Sequence, residues 1–367
     1  AAEASPDTQL GLPSSTENIA KPDADSPETT RRELSALTYN LALLDYKMFG
    51  FLPVRQAPHV EERRKEALRS VYGTDHIVAF QEIWGAADAE RFAEQADASG
   101  YRYFDPPKIH ASNGLGLAIR KDLIAPNQPV SHRNFTFTEQ LPREYLAATV
   151  SSLGFQRGIK RGFQLVEFTT PQGETIAIVN THFTAYRENW RYRLSQAEDI
   201  SKVVQSIEAD SVIVLGDLNG DIHYSGDTFR TKDGEEIHGW LVNARSTPML
   251  LAFAQLQDWS TVGFGEDFIR NCYAQPISKR DQQCEPTWDH GNLLVRAQYP
   301  ESREPQSRLD FILGRSRFPL LHVRSSRAFQ KAFKLPDGSE MHISDHYGVR
   351  VNLIHALPNG EPTQTSP

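Results

Sequence analysis

GFQLVEFTTPQGETIAIVNTHF, residues 162–183, sets two runs rich in β-branched and aromatic residues on either side of a Pro/Gly turn at 171–174. That pattern specifies a β-hairpin, and hence antiparallel pairing. The chain then changes period. From Asn189 to Ile207, Trp190, Leu194, Ala197, Ile200, Val204 and Ile207 recur at three- and four-residue steps, the stripe of an amphipathic helix. SVIVLGDLN (211–219) returns to a short apolar run suited to a strand buried on both faces. A hairpin, a covering helix and a further strand call for a layered α/β or α+β sandwich.

The same alternation extends in both directions. Upstream, ALTYNLALL (36–44), HIVAFQEIW (76–84) and GLGLAIR (114–120) read as strands, while VEERRKEALRSVY (60–72) and AADAERFAEQADASG (86–100) read as helices, the second with a glycine stop. Downstream, TPMLLAFAQLQ (247–257) reads as a helix, and RLDFILG (308–314) and YGVRVNLIHA (347–356) as strands. Gly263–Ser307 is long, turn-rich and without periodicity, as functional or disordered loops are. With no fixed-period repeat and no central linker, one domain is expected over 34–357, with a flexible leader at 1–33 and a short tail at 358–367.

Bulk properties narrow the class. The 367 residues are 39% hydrophobic and 23% charged, with a net charge of −8. No apolar run approaches the roughly 20 residues that span a bilayer. The acidic balance argues against a broad electrostatic grip on nucleic acid but leaves room for a local basic groove. Residues 1–30 are rich in Ala, Ser, Thr, Pro and Asp; they read as what remains after signal-peptide removal, which places the protein outside the cytoplasm, secreted or periplasmic, with simple trimming of the chain as the alternative. Cys272 and Cys284 are the two cysteines. In an oxidising compartment they could staple a loop, worth ~3 kcal/mol, and two free thiols are the other reading.

Polar residues gather where the apolar runs end. Asn40, Glu82, His182, and Asp217 with Asn219 close four of them; Asp310 lies inside RLDFIL, and Asp345 and His346 precede YGVRV. Ligands collect beyond strand ends in sheet proteins. Asn40, Glu82, Asp217, Asn219 and Asp345 are hard oxygen donors, suited to Mg²⁺, Mn²⁺ or Ca²⁺. No cysteine cluster accompanies these oxygen donors, so a zinc site is rejected. A nucleophile elbow and a P-loop are also missing. In HISDHYGV (342–349), an extended backbone would point Asp345 and His346 to opposite faces, so His346 needs its orienting partner from elsewhere.

YN, QE, NTH, GDLN, RLD and SDH, in that order from about Leu37 to Leu353, resemble the endonuclease/exonuclease/phosphatase superfamily of metal-dependent phosphohydrolases. PTWDHGN (286–292), SRLDFIL (307–313) and NTHFTAYRENWRYRLSQ (180–196) are similar to blocks of its neutral sphingomyelinase branch. The resemblance implies a four-layered α/β sandwich, two packed mixed β-sheets flanked by helices, with the site at one rim. It implies Glu82 as the main metal ligand, assisted by Asn40, with Asp345 near the metal and its water. Asp217 and Asn219 would hold and polarise the phosphate and the attacking water, and His182 would donate to a phosphate oxygen. His346 would be the general base, oriented by Asp310. Arg187 and Asn292 would bind substrate. The bland alternatives are an Asp310–Arg308 ion pair, a core role for His182, and loop scaffolding for Trp288, Asp289 and Asn292.

The implied substrate is a phospholipid or sphingolipid at a membrane surface, with Mg²⁺ (or Mn²⁺ or Ca²⁺) as cofactor and the protein acting as a monomer. YKMFGFLPV (46–54) and VGFGEDFIRNCYAQP (262–276) are apolar candidates for contact with lipid, or else ordinary packing. A secreted nuclease is the alternative, with Arg157, Lys160, Arg161, Arg187 and Arg191 as sources of a basic groove. A non-catalytic binding module is disfavoured because none of the expected active-site residues is missing.

Overall fold

The computed structural model describes residues 30–48, 52–105, 113–140, 160–185, 189–220, 228–230, 236–238, 255–263, 285–300 and 307–357. Two six-stranded sheets dominate. The first holds β1 (Thr30–Leu43), β2 (Ile77–Ile83), β3 (Tyr101–Phe104), β4 (Gly116–Arg120), β11 (Leu320–Ala328) and β12 (Gly348–Leu357), in the order β11-β12-β1-β2-β4-β3. The second holds β5 (Ser131–Thr136), β6 (Gly162–Thr169), β7 (Thr175–His182), β8 (Ser211–Asp217), β9 (Gln257–Asp258) and β10 (Asp310–Ser316), in the order β9-β10-β8-β7-β6-β5. The β1–β2 and β7–β8 pairs are parallel, and the other neighbours in the two sheets are antiparallel. Both sheets are therefore mixed.

Strand parity sorts the apolar side chains into layers. Ala36, Ile77, Ala79, Ile176, Ile178, Ile213, Leu215 and Ile312 pack between the sheets. Their strand neighbours point outward. Leu37, Tyr39, Val78 and Phe80 meet helices α1 (Val60–Ser70) and α2 (Ala86–Ala98). Val179, Val212 and Val214 meet Ala197, Ile200 and Val204 of α3 (Trp190–Gln205). The result is the expected four-layered α/β sandwich. Each buried Leu, Ile or Phe contributes about 1.5–3 kcal/mol, so both faces of both sheets hold the assembly together.

The differences from the sequence reading are physical. β1 begins at Thr30, where Thr30 pairs with Leu357, so residues 30–33 of the expected leader belong to the sheet. Their charges hide a strand whose partner is at the other end of the chain. The edge strands β3, β5 and β11 gave no clear signal: β5 and β11 are rich in polar residues, and β3 (YRYF) is only four residues long. TPMLLAFAQLQ lies largely outside the described residues, and its last residue, Gln257, opens β9 rather than ending a helix. Residues 343–346 form a series of bends, not an extended run. The Ser344 hydroxyl donates to the Asn40 carbonyl at 2.6 Å and accepts from the His346 amide at 3.1 Å, which folds the segment onto the end of β1. Cys272 and Cys284 lie outside the described residues. Among those residues no helix is long and apolar enough to cross a membrane.

Candidate active site

Parity carries the inter-sheet core into the site. In β7, Ile176 and Ile178 face inward, so Asn180 and His182 face inward too. In β8, Ile213 and Leu215 are followed by Asp217; in β10, Ile312 is preceded by Asp310. Asp217 is the register partner of both His182 and Asp310, so the three stand in one row across the second sheet. From the first sheet, Asn40 and Gln81 continue the inward set and are themselves register partners. Gln81 Nε2 donates to Asn180 Oδ1 at 2.9 Å, a buried hydrogen bond that ties the two sheets directly beneath the site.

Two local irregularities complete it. Parity alone would turn Glu82 outward, but its backbone is left-handed, at φ 62°. The β1–β2 register slips at the same level, between Asn40 and Leu43, with Ala42 at φ 49°. Left-handed backbone at a non-glycine residue costs on the order of 1–3 kcal/mol and is kept where the surroundings hold it. Asn219 adopts φ 49° as well; its amide donates to Asp217 Oδ1 at 2.9 Å and its Nδ2 to the Phe183 carbonyl at 3.1 Å. The glycine of GDLN has its own reason. A Cβ on Gly216 would come within 2.0 Å of the Thr181 carbonyl oxygen.

His346 Nδ1 lies 2.8 Å from Asp310 Oδ2, and its Nε2 lies 3.8 Å from Asp217 Oδ2. The Asp310–His346 contact expected from the motifs is thus present, and Asp345 and His346 do not bond to each other's side chains. Arg308 Nη2 donates to the Ser260 carbonyl at 2.6 Å, while Asp310 faces His346. Asn40 Nδ2 donates to Asp217 Oδ2 at 2.9 Å. His182 Nε2 stands 3.4 Å from Asp217 Oδ2 and 3.9 Å from Glu82 Oε1. The buried His182 Nδ1 has no hydrogen-bond partner, so the ring proton belongs on Nε2, facing the carboxylates.

Charges crowd this rim. Burial, reinforced by Asp345, raises the Glu82 pKa from its ordinary value. Burial also pushes Asp217 up to about 7. Burial lowers His182 well below the ordinary histidine value, and Arg161 and His346 lower it further, so it is neutral. At His346 burial opposes the charge, but Asp310 and Asp217 outweigh it and hold the pKa well above the ordinary value. Arg161, whose Nη1 donates to the His182 carbonyl at 3.3 Å, brings positive charge to the same rim.

Excess carboxylate of this kind fits a hard divalent cation. Asp217, Asp310 and His346 each bring a ligand atom within 4.8 Å of the others. Since Asp310 and His346 already bond to each other, that trio is better fitted to proton handling. Glu82 and Asp345 bring further carboxylates to the rim, and Asn40 adds an amide oxygen that accepts from the Ala42 amide at 3.0 Å. Asp345 Oδ1 accepts from the Ser344 hydroxyl at 3.3 Å.

Asn292 departs from the substrate-binding role expected of it. It has 0% exposure; its Oδ1 accepts from the amides of Leu294 and Val295, capping α4 (Leu293–Gln298), and its Nδ2 donates to the Ser344 carbonyl at 2.8 Å. One end of its side-chain amide caps the helix and the other holds the His346 segment. Thr287 does the same for Asp310, its hydroxyl accepting from the Leu309 and Asp310 amides. The PTWDHGN block therefore acts as scaffold. Arg187 lies outside the described residues, as does Arg157.

A model of the Endonuclease/Exonuclease/phosphatase family matches residues 37–346. The chain belongs to this family. Among curated proteins no sequence matches it. Similar solved structures include TDP2 from D. rerio complexed with single strand DNA product, at 18% identity and TM-score 0.56, covering 88% of this chain and 98% of that one. Beta toxin from Staphylococcus aureus is similar at 16% identity and TM-score 0.57, over 87% and 99% of the two chains. Sphingomyelinase C from Streptomyces griseocarneus is similar at 17% identity and TM-score 0.54, over 88% and 99%. At these identities the likeness establishes the fold.

Within this family member, two further residues at the site went unread in the sequence. Ser344 fixes the bends described above. Trp84 stacks over Gly114, where a Cβ would meet its ring at 2.9 Å, and its ring centroid lies 6.3 Å from that of His182. The only sequence signal for Trp84 was its place two residues after Glu82.

Proposed function

We propose that the protein is a secreted or periplasmic, divalent-metal-dependent phosphodiesterase acting on lipid, with a phospholipase C reaction that converts sphingomyelin, or a related phospholipid, to its lipid alcohol and phosphocholine. The observation that carries the reaction class is the buried 2.8 Å contact between His346 Nδ1 and Asp310 Oδ2, beside the carboxylates of Glu82, Asp217 and Asp345. Asp310 accepts the Nδ1 proton, which leaves Nε2 as the acceptor of the attacking water's proton. His182 donates its Nε2 proton to a phosphate oxygen, and Asp217 with Asn219 orients the water and phosphate. Glu82, Asn40 and Asp345 would hold Mg²⁺, with Mn²⁺ or Ca²⁺ as substitutes; when bound, such an ion offsets the charge that builds on the phosphoryl oxygens. The bond from phosphorus to the lipid oxygen breaks, and that oxygen takes a proton.

The lipid reading is supported by the chain path at the rim. Directly after β1, Asp45–Met48 pairs antiparallel with Leu52–Gln56, and the hairpin rejoins the sandwich where the Ala57 amide meets the Leu44 carbonyl at 2.8 Å. Met48 and Leu52, the last register pair of that hairpin, belong in sequence to the apolar run YKMFGFLPV, close along the chain to Asn40. Residues 264–276 of the second apolar candidate lie outside the described residues. Similarity to sphingomyelinase C supports the same substrate class. Nucleic acid is the second reading, favoured by Arg161 beside His182 and by the likeness to TDP2.

The test is hydrolysis by purified protein with Mg²⁺, assayed in parallel on sphingomyelin vesicles, phosphatidylcholine vesicles and plasmid DNA. Release of phosphocholine that EDTA abolishes is expected. DNA cleavage without lipid turnover would overturn the lipid assignment while leaving the phosphodiesterase chemistry in place.

A further inference from the structure

Arg63 lies in the first turn of α1 and is 0% exposed, an unusual place for a guanidinium. Burying that charge is costly unless its donors are satisfied. Here they are satisfied by backbone carbonyls from three separate segments. Nε donates to Pro58 at 2.9 Å; Nη1 donates to Leu41 at 3.3 Å and to Ile343 at 2.7 Å; Nη2 donates to Ala42 at 2.8 Å.

The choice of carbonyls is informative. Leu41 and Ala42 form the irregular end of β1, directly after Asn40, where the register slips and Ala42 turns left-handed. Ile343 opens the bends that carry Ser344, Asp345 and His346. These two segments are 280 positions away from or 22 positions before Arg63 in sequence, yet one planar fork holds both. Outside the strand ladders such carbonyls lack regular partners, and a guanidinium is the side chain able to serve several at fixed angles. Asp345 and Glu82 are also among the charges that act on Arg63.

We infer that Arg63 is a positioning residue: it clamps the Asn40 and Asp345–His346 segments together from beneath and so fixes the spacing of the oxygen donors that receive the divalent cation. The inference rests on the reading that Asn40, Glu82 and Asp345 hold that ion. Arg63 does not touch the substrate.

The test compares Arg63→Lys, which keeps the charge and loses the fork, with Arg64→Gln. Arg64 is the next residue of α1 but pairs with Asp88 and Glu61, away from these carbonyls. Mg²⁺ affinity is measured by calorimetry on the full chain, with Glu82→Gln as the control that removes a proposed ligand, and kcat and KM are measured alongside. Arg63→Lys is expected to weaken Mg²⁺ binding about tenfold or more and to lower kcat with KM little changed, while Arg64→Gln leaves Mg²⁺ affinity within twofold. Arg63→Gln is read the same way if the lysine variant does not fold. Mg²⁺ affinity and kcat within twofold of wild type in a folded Arg63 variant overturn the proposal. So does loss of the fold in both Arg63 variants, which assigns the residue a purely structural role. If wild-type protein gives no Mg²⁺ signal beyond that of Glu82→Gln, the metal reading itself fails, and the role of Arg63 with it.

Discussion

At His346 one ring nitrogen is committed to Asp310 and the other is left for chemistry. Asp310 fixes the tautomer and, once burial has taken its toll on the charge, is the largest influence raising the ring's pKa. Replacing its charge therefore has two separable effects. In Asp310→Asn the amide can still occupy the same space, but the imidazolium that forms during turnover loses its counter-charge. kcat should fall by on the order of 10²-fold or more, with KM little altered. The His346 pKa should fall too, so the acidic limb of the kcat profile moves to lower pH. Steady-state kinetics across pH checks both, and an unchanged kcat would remove Asp310 from the mechanism. Asp310 and His346 were legible in sequence from motif order, but strand alternation places only Asp310, since His346 sits in a series of bends, and Glu82 was legible as a residue type only. Its direction depends on a left-handed backbone that no alternation pattern encodes.

Elements beside the sheets do work that their sequences conceal. α4 is a short helix, yet its N-cap Asn292 uses one end of its amide for the cap and the other for Ser344, the residue that bends the His346 segment. Asn292→Asp separates the two services. The carboxylate keeps the capping acceptor, worth about 1 kcal/mol, and loses the donor to the buried Ser344 carbonyl, which costs about 1–3 kcal/mol when left unpaired. Lower stability in denaturant titration is expected together with a reduced kcat, because Asp345 and His346 follow Ser344. Full activity at reduced stability would confine Asn292 to the helix. The apolar strands and α1, α2 and α3 were legible from periodicity. β5, β11 and the first residues of β1 were not, because they carry polar residues and are specified by their neighbours, and β3, at four residues, is too short to show a period.

The sandwich has polar matter at both ends, but the two ends answer differently to acid. Opposite the site, His355 of β12 is 2% exposed, and its Nδ1 lies 3.2 Å from the Ser316 hydroxyl of β10, joining the two sheets. Nearby, Arg32 pairs with Glu174, whose Oε1 accepts from Ser211 at 2.7 Å. Burial, helped by the charge of Arg32, lowers the His355 pKa from 6.5 to about 4. The folded state therefore keeps this ring neutral where the unfolded chain binds a proton. The contribution to stability is whole above pH 6.5 and is lost as pH falls from 6.5 towards 4, at about 1.4 kcal/mol per pH unit, or about 3 kcal/mol in all. In His355→Gln the side chain cannot titrate but can still meet Ser316. Denaturant titrations at pH 7.5, 6, 5 and 4.5 should show wild type losing stability more steeply than this variant, with the two lines converging on acidification if the variant starts lower. Parallel lines would mean that His355 does not titrate between the states, and that the acid sensitivity of the fold lies with the carboxylates at the site instead.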